Sequence, residues 1–184
     1  MNIRSEEIRN FLAEGMQYES LNKDGEEEIF YAALDNQELI AASRLIINPT
    51  PEKMNTWDVD SSITNNYVFG MLSGIYVLPE YRGPRQELNN QSIAKNLAQN
   101  RIQDSWQGNF MPQAQSLDVL MTYCFPSSAK IYDANSQFKL IDEIPDMPRG
   151  TERVYLATNP NKNLPSIDDI ANTYYKKHAY TKAV

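Results

Sequence analysis

The residues whose placement most directly suggests chemistry lie in one stretch, Leu72 to Gly83, and just beyond it. Leu72 to Leu78 reads as a hydrophobic strand, Pro79 stops it, and Arg82-Gly83 leads into a short basic loop with Arg85. A helical pattern follows from about Asn90. Strand, loop and helix N-terminus in that order make an anion site, because unpaired backbone N–H groups converge there. Two guanidinium groups beside them can pair with phosphate oxygens. Other reactive side chains are few. Cys124 is the single cysteine and sits in an apolar run beside Tyr123, the setting of a buried structural thiol. His178, the single histidine, lies far along the chain in a polar tail and reads as an exposed tail residue.

These positions need elements to hold them. Ser5 can cap a helix with Glu6 and Glu7 in its first turn and Ile8, Phe11, Leu12 and Met16 on one face. Residues 22–28 read as a polar loop whose run Glu26-Glu27-Glu28 is a solvated edge. Ile29 to Leu34 and Leu39 to Ile47 form a hairpin about the turn Asp35-Asn36-Gln37-Glu38. After Asn48-Pro49-Thr50-Pro51 a long polar loop is expected up to Asn66, of the kind that shapes substrate choice. Tyr67 to Leu78 is a long strand interrupted by Gly70 and Gly74, positions that mark a bulge or a close approach to the backbone. From Ser92 an amphipathic helix follows on Ile93, Leu97 and Ile102, and a connection through Gly108 and Pro112 leads to Leu117–Phe125, a buried strand. A helix capped by Ser127 or Ser128, strands at Phe138–Ile144 and Arg153–Ala157, and a tail helix capped by Ser166 complete a mixed α/β order.

Composition narrows the function classes. The chain has 184 residues, enough for one domain with a core, and 41% of them are apolar, which excludes a mostly disordered chain. Its net charge of −7 argues against nucleic acid as a partner, because Lys and Arg carry phosphate-backbone affinity. One cysteine and one histidine exclude an internal disulfide and cysteine-based or His-rich metal sites, and argue against a Ser-His-Asp arrangement. No apolar run approaches the ~20 residues needed to span a bilayer. With no signal-peptide core after Met1, a cytoplasmic protein without a membrane partner is expected.

The segment Ile75-Tyr76-Val77-Leu78-Pro79-Glu80-Tyr81-Arg82-Gly83 resembles the acyl-CoA-binding segment of the GNAT acyltransferases. The resemblance spans about Ile29 to Ala157 and implies a GNAT-like domain over residues 1–158, with residues 159–184 as a tail carrying a short helix. It implies a mixed, mostly antiparallel central sheet flanked by helices, though the family's extra first strand is not legible. In that family the strand cradles pantetheine, a strand N–H polarises the acyl carbonyl, and the loop wraps the pyrophosphate. The matching residues are Ile75, Val77 and Leu78 for the strand and Arg82, Gly83 and Arg85 for the loop. The family's loop carries small residues where this chain has Arg85 and Glu87, a departure that a longer loop running to Ser92 would accommodate.

Tyr132, followed by Gln137-Phe138, resembles the general acid that protonates the departing thiolate, although Pro126 and Gln137 replace the family's Asn and Gly. Glu80, Asp118, Glu38 and ordered water are open as the base, and Asp58 is a weaker choice. The implied reaction is transfer of an acetyl or other short acyl group from acyl-CoA to an amine of a small molecule or peptide. A homodimer is possible, as is common in the family. Two alternatives stand beside it. Ser43-Arg44-Leu45 resembles the acyl-carrier-protein-dependent acyl-homoserine-lactone synthases, and the departures from both motifs fit a non-catalytic binding or regulatory module of the same fold.

Overall fold

The hairpin forms where the alternation places it. In the computed structural model, which describes residues 5–16, 27–109, 116–145 and 150–177, β1 (Glu27–Asp35) pairs antiparallel with β2 (Glu38–Ile47). Asn36 and Gln37 make the two-residue turn with φ of 46° and 75°, the left-handed pair that such a turn demands. The remaining elements are α1 (Ser5–Met16), α2 (Pro51–Thr56), α3 (Ile63–Asn66), β3 (Phe69–Val77), β4 (Pro84–Arg85), β5 (Gln91–Ser92), α4 (Ile93–Gln107), β6 (Val119–Cys124), α5 (Pro126–Asp133), β7 (Phe138–Ile144), β8 (Glu152–Thr158) and α6 (Ile167–Tyr174). Six strands form a mixed, mostly antiparallel sheet in the order β1-β2-β3-β6-β8-β7, flanked by helices, with β3 and β6 parallel. Pro112 and His178 lie outside the described residues.

The chain divides into two compact units, Met1–Ile47 with Leu72–Ser116, and Asn48–Met71 with Leu117–Val184. In the first, α1 and α4 take opposite faces of the sheet. Ile8 and Leu12 of α1 pack on Ala42, with Phe11, Phe30 and Tyr76 around them. On the other face, Ile93 and Leu97 of α4 meet Ile40, Ala41 and Val77, with Tyr31 and Ile75 alongside. Ser92 caps α4 by accepting the Lys95 N–H at 3.2 Å, and Gly108 ends it at φ 70°.

Glu28 corrects the solvated-edge reading. Its side chain is 2% exposed and sits between Arg9 of α1 (2.6 Å) and Arg44 of β2 (2.7 Å). The other Arg44 amino group donates to Ser73 Oγ at 3.0 Å. The β1 face carrying Phe30 also carries Glu28, so the strand's own alternation turns this acid inward.

In the second unit β6 lies between β3 and β8, as a continuous apolar strand should. The segment from Asn48 to Asn66 is not a plain loop. Met54 of α2 and Ile63 of α3 are buried, and this one inward apolar side chain folds each short helix onto the core. Val59 bridges Tyr175, and Asp60 N–H donates to the Tyr174 carbonyl, so the stretch after α6 is tied to this segment. Pro126 opens α5, whose N-cap is Phe125 without a side-chain bond, so neither Ser127 nor Ser128 is the cap. Proline suits the first helical position because its missing N–H would be unpaired there anyway. Ser166 caps α6 as the sequence predicts.

Candidate functional site

β3 carries the strand part of the site. The β2–β3 contacts Asn48 N–H to Phe69 O and Leu78 N–H to Ile40 O are eight residues apart on β2 and nine on β3. One extra residue therefore sits in β3, and Gly74 at φ 64° marks that bulge. Gly70 instead takes its place in the ladder opposite Leu120. Beyond the bulge Val77 is buried and Ile75 and Leu78 are half-buried.

Pro79 stops the strand, because it has no N–H for the ladder, and starts a single 3₁₀ turn through Tyr81. The Tyr81 hydroxyl donates to Asp35 at 2.7 Å, which fastens this turn to the β1–β2 hairpin. Gly83 follows at φ 109° with no atom within 4 Å of where a Cβ would sit, so the backbone conformation alone calls for glycine. β4 and β5 then form a small ribbon closed by Asn89 and Asn90, both left-handed at φ 51° and 61°. The loop ends at Ser92, the N-cap of α4, and the ribbon inside it is not visible in the sequence.

The two arginines differ in their seats. Arg82 Nε donates to the Val77 carbonyl at 2.9 Å, and its guanidinium lies over the Tyr76 ring, 5.7 Å from the centroid. Among the described residues its two terminal nitrogens have no other hydrogen-bond acceptor, and the side chain faces solvent. Arg85 lies over Tyr81 at 4.9 Å, donates to the Glu80 carbonyl at 3.4 Å, and stands 3.8 Å from Glu87. A guanidinium fixed through Nε and one face, with its terminal fork open, is built for two-point contact with a phosphate or carboxylate.

Tyr132 belongs to the second unit, within its core. It is 2% exposed, with Phe138 and Tyr155 rings at 5.2 and 5.7 Å. Both Asp118 oxygens are engaged, one by Val68 N–H (2.7 Å) and one by Lys162 (2.6 Å). Asp58 lines an open polar pocket with Asn55, Asp60 and Lys176. Glu38 and Glu80 are exposed. Burial first, then the nearby Asp133 and Glu152 carboxylates, push the Cys124 thiol up to about 12, so it stays protonated at neutral pH and is no nucleophile. Among the described residues no group of three or more His, Cys, Asp or Glu could hold a metal, and no helix is long and apolar enough to cross a membrane.

Sequence reasoning missed Tyr76 and the Arg9–Glu28–Arg44 cluster. The signal for the cluster was present: Arg44 is the one charge inside the apolar run Leu39–Ile47. Tyr76 gave no such signal, because an aromatic in a strand is ordinary.

No protein-family profile matches the sequence, and a search of curated proteins finds no significant match. Solved structures do match. The fold is similar to that of FeeM, an N-acyl amino acid synthase from uncultured soil microbes. The TM-score is 0.52 over 85% of this chain and 89% of that one, at 8% identity. It is also similar to BjaI, a CoA-dependent acyl-homoserine lactone synthase solved with SAM and isopentyl-CoA. There the TM-score is 0.51 over 93% of this chain and 82% of that one, at 10% identity. At these identities the likeness defines the fold class, which is GNAT-like.

Proposed function

We propose that this protein is an acyltransferase that moves an acetyl or other short acyl group from an acyl-CoA to an amine of a small molecule or peptide. The observation that carries the reading is the seat of Arg82, a guanidinium held by the strand and by Tyr76 with its fork toward solvent, directly after the bulged strand. Arg82 and Arg85 take the donor's phosphates and Gly83 lets the loop turn beneath them. Ile75, Val77 and Leu78 form the rail for the pantetheine arm, and the Val77 N–H polarises the thioester carbonyl. The amine nitrogen attacks that carbonyl carbon, the C–S bond breaks, and the nitrogen gives its proton to water. The leaving thiolate takes a proton from water, so that the transfer balances with solvent alone.

The test of the reaction is thiol release from acetyl-CoA and a longer acyl-CoA in the presence of an amine panel. Free amino acids and S-adenosylmethionine head the panel because of the two neighbours' descriptions. Amine-dependent thiol release supports the enzyme. Binding of CoA without turnover on any amine leaves the non-catalytic module of the same fold.

A further inference from the structure

We propose that Tyr76 is a positioning residue for Arg82, and that helix α1 fixes it there through Gly15 and Phe11. The proposal rests on the reading of Arg82 as a phosphate-binding group. Tyr76 is held from two sides. The Phe11 ring meets it edge-on at 5.3 Å, and α1 passes so close at Gly15 that a Cβ there would lie 2.3–2.4 Å from three Tyr76 ring atoms. Such distances cannot be met by small adjustments, because the atoms concerned belong to a rigid ring near its own backbone. Glycine in a helix interior costs about 1 kcal/mol against alanine. Its presence in the last turn of α1 therefore answers to the ring.

The same ring carries Arg82, whose guanidinium rests over it while Nε is tied to the Val77 carbonyl. A stacked cation has its plane fixed by the ring, so the open fork keeps one direction. α1 itself is anchored by the Arg9–Glu28 pair, which is buried on the acid's side. The placement of Arg82 thus depends on a helix remote from it in sequence.

The experiment has two independent readouts on the full chain. The first is the Arg82 Nε–H signal by NMR, assigned by its loss in Arg82→Ala. The second is titration with coenzyme A. In the wild-type protein the Nε–H signal should be ordered and shifted by the Tyr76 ring. In Tyr76→Leu and in Gly15→Ala it should lose that shift and coenzyme A affinity should fall about threefold, the factor expected from a partly exposed cation–π contact. Tyr76→Phe keeps a ring and should keep both, which a hydroxyl-based role would not. Urea midpoints identify any variant that fails to fold, and whichever of Tyr76→Leu and Gly15→Ala folds then carries the comparison with wild type. An Arg82 signal indifferent to Tyr76→Leu overturns the proposal whatever coenzyme A does. A Tyr76-dependent signal without coenzyme A binding leaves the positioning in place and removes the phosphate reading.

Discussion

Removing the charge of Glu28 should be among the most damaging single changes on the surface-distant side of the first unit. Its carboxylate is 2.6 Å from Arg9 and 2.7 Å from Arg44, and the Glu28 and Arg44 side chains are 2% and 5% exposed. Without the carboxylate, Arg44 keeps only Ser73 among the side-chain partners described here, and its charge stays out of water. Breaking a buried pair from one side costs about 3–5 kcal/mol. For a chain of this size that corresponds to a fall in melting temperature of roughly 10 °C. Glu28→Gln keeps the shape and isolates the charge. Lys139–Asp168 is the control, since its contact is equally short at 2.6 Å but its side chains are 50% and 62% exposed. Breaking that pair with Lys139→Ala should cost ~0–1 kcal/mol and become smaller in high salt, while the Glu28 effect should persist. Urea unfolding of both variants at low and high salt is the assay. A Glu28→Gln cost below about 1 kcal/mol, or one equal to the Lys139 control, would refute the claim that burial and not distance sets the value of this pair.

Gln37→Gly should stabilise by about 1 kcal/mol, read as a higher urea midpoint, because Gln37 sits at φ 75° in a turn that favours glycine; a lower midpoint contradicts it. Cys124 should react with a thiol reagent only after denaturation, and fast labelling of the native protein would place it elsewhere. Since its thiol titrates near 9 when unfolded and about 12 when folded, its contribution to stability is intact below pH 9 and is lost as pH rises toward 12. Half-buried Tyr31 and buried Tyr155, whose hydroxyls are also raised above 10, act in the same direction, so unfolding free energy should fall from about pH 9 upward, and a flat profile there would contradict it. Glu87→Gln should tighten anionic ligands about two- to threefold at low salt and not at high salt, since Glu87 stands 3.8 Å from Arg85 and is 67% exposed; weaker binding would mean that Glu87 organises the loop.

Local chemistry was legible in the sequence wherever period and punctuation agreed. The Asp35–Glu38 turn, the stop at Pro79, the Ser92 and Ser166 caps and the apolar run around Val119–Cys124 all follow from short-range rules. The bulge in β3 was marked by two glycines, of which the structure uses Gly74. Long-range pairing was not legible. Glu28 looks solvated because its neighbours are acidic, and only Arg9 and Arg44, brought from a helix and another strand, make it buried. Tyr76 and Gly15 are unremarkable apart and meaningful only in contact. α2 and α3 were hidden because each is anchored by a single apolar side chain, too few for a helical period to register.

The central claim is that the strand and loop from Ile75 to Arg85 bind the phosphate-bearing acyl donor. Thermal-shift titration with coenzyme A, acetyl-CoA and a longer acyl-CoA tests it most directly, since a ligand that binds only the folded state raises the melting temperature as its concentration passes its dissociation constant. A rise that disappears in the Arg82→Ala, Arg85→Ala double variant is the predicted result. No rise with any of the three at millimolar concentration, or a rise that survives the double variant, would contradict it.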